Sequence, residues 1–183
     1  MLSDLHARKA EHYFTLIDED GNGLIEASDF ALRAQRLAST QEVIADGARE
    51  ALREQVVSWW KHICTIADID GDARVTLPEW KTYWHSVIRG VEQGDGTLDS
   101  LHRAARGTLR ALDRTGSGRV TLDEYAAWLD AWGANGAEAS FGELDRGTKG
   151  FLTEEDVVVA VQEFYLSDDP DAPGNVLYGP LPE

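Results

Sequence analysis

The sequence has few of the residues that mark several common classes of protein. Cys64 is the single cysteine among 183 residues, which excludes an internal disulfide framework. No apolar run reaches membrane-spanning length, and the first residues have neither the basic nor the apolar segment of a secretory signal. These absences predict a cytoplasmic protein that does not span a membrane.

Basic residues are also scarce. The chain has 17 Lys and Arg against 33 Asp and Glu, and its net charge is −16. Such a charge repels polyanions, so nucleic acid and anionic membrane surfaces are not expected as partners. The acidic residues do not indicate disorder, because 43% of the chain is hydrophobic and six residues are Trp. We therefore expect a folded protein in which bound cations neutralise part of the acidic charge.

Residues 68–79 have oxygen-bearing side chains at the spacing of an EF-hand loop. Asp68, Asp70, Asp72 and Glu79 stand at positions 1, 3, 5 and 12 of this twelve-residue segment. Ca²⁺ takes six to eight oxygen ligands, which alternate side chains, the carbonyl at position 7 (Arg74) and a bidentate carboxylate at position 12 can supply. The segment therefore predicts a calcium site with four carboxylates.

Other residues of the same segment predict its local structure. Val75 at position 8 is expected to pair with a second loop in a short β-bridge, which suits a β-branched side chain. Thr76 and Glu79 have the spacing of a capping box for the helix that follows. Ala73 stands at position 6, where Gly is usual, and a left-handed Ala costs about 1 kcal/mol.

Residues 18–29 form a segment of the same kind. Its predicted ligands are the side chains of Asp18, Asp20, Asn22 and Asp29, the carbonyl of Leu24 and, at position 9, Glu26. Asp29 at position 12 is one methylene shorter than Glu, so bidentate closure on Ca²⁺ requires the loop to contract. Because Mg²⁺ prefers shorter bonds and octahedral geometry, this site is predicted to bind Ca²⁺ and to tolerate Mg²⁺.

A third segment, residues 113–124, has fewer carboxylates. Its predicted ligands are the side chains of Asp113, Thr115, Ser117 and Glu124 and the carbonyl of Arg119. Two carboxylates and two hydroxyls attract a divalent ion less strongly than four carboxylates do. We predict a working calcium site of lower affinity.

A fourth segment, residues 145–156, keeps the frame of such a loop and loses its ligands. Position 3 is Gly147, which has no side chain, and position 5 is Lys149, whose ammonium would stand where a cation binds. At about 4 Å, two unit charges repel by about 4 kcal/mol at an effective dielectric constant of 20, and a divalent ion doubles this. We predict that this loop is structural and binds no metal.

The spacing of apolar residues between these segments predicts an all-α fold of four EF-hands in two pairs, with short β-bridges between paired loops. Trp80, Tyr83 and Trp84 form an aromatic face, and Cys64 lies on an apolar stripe where a buried, unreactive thiol is expected. Three glycines within residues 89–97 predict a hinge. The expected organisation is one pair in residues 1–92, a second pair in 97–166 and a docked tail in 167–183.

The arrangement of the four segments resembles one family of EF-hand proteins. The segments begin at Asp18, Asp68, Asp113 and Asp145, which are 50, 45 and 32 residues apart, and the tail contains Asp-Asp-Pro and Leu-Tyr-Gly-Pro. These features resemble the sarcoplasmic calcium-binding proteins, and among them the bacterial calerythrin-like members. The resemblance covers essentially the whole chain. It implies two EF-hand pairs packed face to face into one compact globule and a role as a cytosolic Ca²⁺ buffer.

Three functions remain open from the sequence. The first is a monomeric Ca²⁺ buffer or transporter that binds three ions and has no catalytic activity, since no nucleophile–base pair is recognisable. The second is a Ca²⁺ sensor with a protein partner, although a sensor typically has a Met-rich groove and this chain has only the initiator Met. The third is a photoprotein or coelenterazine-binding protein, for which His12, Tyr13, Trp84 and Tyr178 are the candidate ligand-facing residues.

Overall fold

α-Helices make up most of the chain. The computed structural model describes residues 1–39 and 46–182, and it describes the side chains in these ranges except at residues 36–39, 46–56 and 111. The elements in chain order are α1 (Asp4–Ile17), β1 (Leu24–Ile25), α2 (Ala27–Ser39), α3 (Asp46–Ala67), β2 (Val75–Thr76), α4 (Leu77–Gln93), α5 (Thr97–Leu112), α6 (Leu122–Ala131), α7 (Ala137–Leu144), α8 (Glu154–Leu166) and a 3₁₀ helix (Pro173–Val176). The predicted all-α fold class is confirmed.

The four acidic segments form the loops between helices, and we call them loop 1 (18–29), loop 2 (68–79), loop 3 (113–124) and loop 4 (145–156). Their last residues start the next helix. In loop 2, Glu79 accepts a hydrogen bond from the backbone amide of Thr76 at 2.8 Å, and Thr76 Oγ1 accepts one from the amide of Glu79 at 3.4 Å. The predicted capping box is confirmed, and complete capping boxes also start α6 and α8.

The chain divides into two compact units, which we call the smaller unit (Tyr13–Tyr83) and the larger unit (Met1–His12 with Trp84–Glu183). In the smaller unit, β1 and β2 pair antiparallel, with Ile25 opposite Val75. Both side chains are fully buried, as is Trp80 of α4. The predicted bridge at position 8 of loop 2 is therefore confirmed, and it joins loops 1 and 2.

In the larger unit, helices α5 and α8 pack together, and an isolated β-bridge joins Val120 of loop 3 to Leu152 of loop 4. These are again the residues at position 8 of each loop. Val120 and Leu152 are buried, together with Tyr125 and Phe164. The two loop pairs are thus built in the same way from the same loop position.

The tail packs on the larger unit. The 3₁₀ helix contacts α7 and α8, and the ring of Tyr178 lies 5.3 Å from Trp128 and 4.9 Å from Phe164. The hydroxyl of Tyr125 donates to the carbonyl of Leu177 at 2.9 Å. The apolar side chains of the tail are therefore part of the core of this unit.

Buried Lys9 of α1 adds a polar connection to the tail. Its ammonium donates to the carbonyls of Glu163 and Ser167 at the end of α8, at 3.1 and 2.6 Å, and to Asn175 Oδ1 at 3.1 Å. Asn175 in turn donates to the carbonyl of Asp169 at 2.9 Å. The ammonium thus satisfies carbonyls that the end of a helix leaves unpaired.

Two sequence-based expectations need correction. The break in helical structure predicted at residues 89–97 is shorter than expected, because α4 continues to Gln93 and only residues 94–96 separate it from α5. Cys64 is half-buried rather than buried, and its thiol donates to Asp68 Oδ2 at 3.4 Å. Burial and this hydrogen bond raise the pKa of Cys64, so its thiol stays protonated at neutral pH.

Within the described residues, no helix combines the length and the apolar character required to cross a bilayer.

Candidate metal sites

Loops 1 and 2 each bring three carboxylates together. In loop 1, one oxygen from each of Asp18, Asp20 and Asp29 lies within 4.8 Å of the other two. In loop 2 the same holds for Asp68, Asp70 and Glu79. These are positions 1, 3 and 12 in both loops. All six residues are predicted ligands, and the donor set consists of the hard oxygens that Ca²⁺ prefers.

Backbone N–H groups orient the carboxylate at position 1. Asp18 accepts hydrogen bonds from the amides of Asn22 and Gly23, at 3.1 and 2.9 Å. Asp68 accepts them from Gly71 and Ala73, at 2.8 and 3.0 Å. A carboxylate has about four acceptor positions, so these bonds fix the group and leave acceptors for an ion.

The loop backbone must turn sharply to make these bonds. Ala73 has φ 62°, in the left-handed region, as predicted from its place at position 6 of loop 2. Gly23 has φ 83° at the same position of loop 1, where glycine adopts this conformation without a steric cost. Loop 2 therefore stores a small strain that loop 1 does not.

The carboxylate at position 12 closes each loop by accepting backbone hydrogen bonds from both of its ends. Asp29 is fully buried and accepts from the amides of Glu19 at 2.9 Å and Glu26 at 2.7 Å. Glu79 accepts from the amides of Ile69 at 3.0 Å and Thr76 at 2.8 Å. Asp29 thus spans its loop despite the shorter side chain.

These position-12 carboxylates differ in their electrostatics. Burial raises the pKa of Asp29 above the ordinary aspartate value, although backbone hydrogen bonds act in the opposite direction. Hydrogen bonds from Thr76 lower the pKa of Glu79, and those from Thr121 lower the pKa of Glu124. The two glutamates are therefore fully charged at neutral pH, whereas the buried Asp29 carries a charge that a cation would stabilise.

Loop 3 brings its predicted ligands together around Asp113. The hydroxyls of Thr115 and Ser117 lie 3.3 and 3.4 Å from Asp113 Oδ1. Ser117 also donates to the carbonyl of Arg119 at 3.0 Å, and Glu124 accepts from the amide of Thr115 at 3.1 Å. The oxygens at positions 1, 3, 5 and 7 are therefore adjacent, with two carboxylates in place of the three that converge in loops 1 and 2.

The remaining predicted ligands make contacts within their own loops or across the loop pair. Asn22 and Asp72, both at position 5, accept hydrogen bonds from the amides of Leu24 and Arg74 at 2.8 and 2.9 Å. Glu26, the additional ligand considered for loop 1, lies 3.3 Å from Arg74 Nε of loop 2. Its carboxylate is therefore part of an ion pair between the two loops.

Loop 4 contains a cation of its own. Lys149 Nζ lies 2.8 Å from Asp156 Oδ2 and 3.8 Å from Asp145 Oδ1. The carboxylates at positions 1 and 12, which face the candidate metal positions in the other loops, here face an ammonium group.

One buried ion pair near loop 1 has no clear signal in the sequence. The guanidinium of Arg33 in α2 pairs with Glu19 of loop 1 and also donates to the carbonyl of Leu16 at the end of α1. Glu19 stands at position 2 and Arg33 lies four residues after position 12, and charged residues at such positions commonly face solvent. The contact links both helices that flank loop 1.

The helix–loop–helix units, the bridges at position 8 and the converging oxygens define an EF-hand protein. The chain is similar to calerythrin of Saccharopolyspora erythraea, with 27% identity over 170 residues that cover 91% of this chain and 95% of the relative. It is also similar to a sarcoplasmic calcium-binding protein of Perinereis vancaurica tetradentata, with 29% identity and coverage of 98% and 99%. No family model matches the chain.

The fold is similar to that of a solved structure, a Streptomyces coelicolor calcium-binding protein of prokaryotic calcium-mediated regulation. The TM-score is 0.66 at 27% identity, and the match covers 90% of this chain and 99% of that one. Together with the two relatives, it confirms the predicted resemblance to sarcoplasmic calcium-binding proteins and calerythrin.

Proposed function

We propose that the chain binds three Ca²⁺ ions, in loops 1, 2 and 3, and acts as a calcium buffer without catalytic activity. The observation that carries this proposal is the convergence of three carboxylates in loop 1 and in loop 2, within 4.8 Å in each case. Acidic groups so close together repel one another, and a divalent cation removes the repulsion.

Each proposed site uses the residues of its own loop. Loop 1 would hold the ion with Asp18, Asp20, Asn22 and Asp29 and the carbonyl of Leu24; loop 2 with Asp68, Asp70, Asp72 and Glu79 and the carbonyl of Arg74; loop 3 with Asp113, Thr115, Ser117 and Glu124 and the carbonyl of Arg119. The bound ion supplies charge neutralisation to the carboxylates. The backbone N–H groups already described keep these carboxylates in place.

We propose further that Mg²⁺ competes in loop 1, where the position-12 residue is Asp29, and that Glu26 acts there only indirectly. Its ion pair with Arg74, at 3.3 Å, supports a role in joining loops 1 and 2 rather than in binding the ion. On this proposal the calcium-binding modules are the loop pair within residues 1–92 and the loop pair within residues 97–166. The protein is monomeric.

Isothermal titration calorimetry with and without Mg²⁺ tests the stoichiometry. We expect three Ca²⁺ per chain, and two after the double substitution Asp113→Asn, Glu124→Gln, which removes both carboxylates of loop 3. The exposed Glu138, in the first turn of α7, provides the control Glu138→Gln, which should leave three. A fourth ion located at Asp145 by anomalous scattering, or no uptake in loop 2, would contradict the proposal.

A calcium sensor is the second candidate. The similarity to a Streptomyces coelicolor calcium-binding protein of prokaryotic calcium-mediated regulation supports it. Binding of a hydrophobic dye distinguishes the two roles. A buffer should bind less dye when calcium is added, because its packing tightens, whereas a sensor should bind more because it exposes a groove for a protein partner.

A coelenterazine-binding or photoprotein-like role is less well supported by the geometry. His12 Nε2 lies 3.0 Å from the carbonyl of Tyr178, and the indole of Trp84 donates to the carbonyl of Tyr165 at 3.2 Å. The Tyr178 ring packs among Trp128, Trp132 and Phe164. These groups already have partners within the larger unit.

A further inference from the structure

The ammonium group of Lys149 lies among oxygen atoms of loop 4. Lys149 Nζ donates to Asp156 Oδ2 at 2.8 Å and to the carbonyl of Arg146 at 2.9 Å, and Asp145 Oδ1 lies 3.8 Å away. Asp145 and Asp156 are both buried. Two buried carboxylates at positions 1 and 12 are thus compensated by a positive charge that is covalently part of the loop.

The backbone of loop 4 is held by the same carboxylates. Asp145 accepts hydrogen bonds from the amides of Lys149 at 3.0 Å and Gly150 at 2.7 Å. Asp156 Oδ2 accepts from the amide of Thr153 at 2.7 Å as well as from the lysine. The lysine therefore completes the hydrogen bonding of loop 4 without a bound ion.

Loop 4 also differs from the other loops at position 3. In loops 1 to 3 the left-handed residues are at positions 4 and 6, whereas loop 4 has a further one at position 3, Gly147, with φ 92°. A side chain at this position would be strained, and position 3 is where the other loops supply a ligand. The backbone of loop 4 therefore disfavours a ligand side chain at position 3.

The closed loop 4 is connected directly to loop 3. The amides of Val120 and Leu152 donate to each other's carbonyls at 2.9 and 2.8 Å, and both side chains are buried. The guanidinium of Arg119 lies 4.3 Å from the centre of the Phe151 ring. Because Arg119 also supplies the proposed carbonyl ligand, the position of loop 4 determines where one side of loop 3 lies.

We propose that Lys149 is a tethered cation that holds loop 4 closed whether or not calcium is present, and that through the Val120–Leu152 bridge it positions loop 3 for Ca²⁺. The second half of this proposal rests on the proposed function of loop 3; the first half does not. By contrast, the segments that form loops 1 and 2, residues 18–29 and 68–79, contain no lysine. Calcium should therefore order the smaller unit more than it orders the loop 3–loop 4 pair.

Amide hydrogen exchange in excess chelator tests the first half, with nuclear magnetic resonance to read individual residues. The variants are Lys149→Met, which keeps most of the aliphatic stem, and Lys149→Gln, which keeps N–H donors without the charge. Exposed Lys61 of α3 provides the matched control Lys61→Met. We expect the Val120 and Leu152 amides to exchange at least tenfold faster in both Lys149 variants and within twofold of the wild-type rate in the control.

Wild-type protection at these two amides in Lys149→Met would overturn the proposal, and wild-type protection in Lys149→Gln would show that the charge has no role. If Lys149→Met does not fold, Asp156→Asn provides the test, because it removes the negative charge that pairs with the ammonium at 2.8 Å and leaves the lysine intact. The same tenfold loss is expected, and unchanged protection would overturn the proposal.

Calcium titration of the same variants tests the second half. The affinity of loop 3 should fall at least tenfold in Lys149→Met, while that of loop 2 changes less than twofold. If the wild-type chain binds no calcium in loop 3 but Lys149→Met still loses protection in chelator, the proposed function fails there and the tethered cation stands. If loop 3 binds calcium equally well in both proteins, the positioning role is wrong and the proposed function stands.

Discussion

The guanidinium of Arg33 lies 3.0 Å from Glu19 Oε2, and only 4% and 6% of the two side chains are exposed. This ion pair fixes position 2 of loop 1 to α2, and Arg33 also donates to the carbonyl of Leu16 at the end of α1. Removal of one partner of such a pair leaves a buried charge without compensation. The pair therefore stabilises the geometry that brings Asp18, Asp20 and Asp29 together.

Arg33→Met is expected to lower the free energy of unfolding by about 3–5 kcal/mol, because the buried carboxylate of Glu19 loses the positive charge of Arg33. Urea denaturation in saturating calcium measures this loss. The double variant Arg33→Met, Glu19→Gln should be more stable than Arg33→Met alone, since the buried negative charge is gone. Arg89→Gln is the control, because Arg89 and Glu92 form an exposed pair at 4.0 Å and its loss should cost less than about 1 kcal/mol. A loss below 1 kcal/mol in Arg33→Met would contradict the prediction.

Buried Lys9 predicts an unusual dependence of stability on pH. Burial lowers the pKa of Lys9 from 10.5 to about 8, although the negative charges of Asp168 and Glu163 act to raise it. Between these two pKa values the unfolded chain binds more protons than the folded chain, so stability rises as the pH rises. We expect the free energy of unfolding to gain about 2 kcal/mol from this residue between pH 7.5 and 9.5.

Denaturation of the wild-type chain and of Lys9→Met at both pH values measures this contribution. The variant should be less stable overall, because the carbonyls of Glu163 and Ser167 lose their donor, and the rise between the two pH values should be about 2 kcal/mol smaller. Lys61→Met, at an exposed position, should keep the full rise. An equal rise in wild type and Lys9→Met would show that Lys9 is not neutralised on folding.

The features that the sequence predicted correctly are local. Residue type and position within a twelve-residue loop predict the pairing of Ile25 with Val75, the capping by Thr76 and Glu79 and the left-handed Ala73. The partners of Lys9 and Arg33 could not be predicted in this way. Lys9 binds residues more than 150 positions away. The helical spacing of His6 and Tyr13 on either side of Lys9 indicates only that this face of α1 is buried.

Glu26 shows a second limit of prediction from the sequence alone. Its position in loop 1 suggested a ligand, and its ion pair with Arg74 depends on how loops 1 and 2 are placed side by side. The loop positions proposed to bind a metal can therefore be predicted from the sequence of one loop alone. The orientation of a side chain that points away from its own loop cannot be predicted in this way, because its partner lies in the neighbouring loop.

Glu79→Gln should weaken calcium binding more than Glu124→Gln does. The two residues stand at position 12 and accept equivalent hydrogen bonds from Thr76 and Thr121, so the substitutions are structurally matched. Glu79 belongs to a loop with four carboxylates and Glu124 to one with two, so the tighter site has more affinity to lose. Calorimetry should show a loss of at least tenfold at loop 2 and a smaller one at loop 3. Equal losses would mean that the number of carboxylates does not determine affinity.

Asp29→Glu should raise the calcium affinity of loop 1 and weaken competition by Mg²⁺. The added methylene would bring both oxygens closer to the ion, a geometry that favours Ca²⁺ over the smaller Mg²⁺. Titration with calcium in the presence and absence of Mg²⁺ gives the ratio of the two apparent affinities. Asp130→Glu, at an exposed position in α6, is the control and should leave the ratio unchanged. An unchanged ratio in Asp29→Glu would indicate that a water already completes the shell.

Removal of calcium should affect the smaller unit more than the larger one. Each site held at 100 times its dissociation constant adds about 2.7 kcal/mol, so loops 1 and 2 together add about 5 kcal/mol, close to the whole stability of many domains. Trp59, Trp60 and Trp80 lie in the smaller unit and Trp84, Trp128 and Trp132 in the larger. In chelator we expect the near-ultraviolet circular dichroism of the first three to be lost while helical signal remains. The calcium-induced rise in melting temperature should be at least about 15 °C.

The two groups of tryptophans can be told apart by substitution. Trp80→Phe should remove much of the calcium-dependent part of the aromatic signal, whereas Trp128→Phe should remove mainly signal that persists in chelator. The difference is expected because Trp80 is fully buried in the unit that contains loops 1 and 2, while Trp128 packs on Tyr125 and Tyr178 in the unit that contains Lys149. A rise in melting temperature of only a few degrees, with unchanged aromatic dichroism, would show that the core forms without metal. Calcium binding would then not be coupled to folding, although the chain could still act as a buffer.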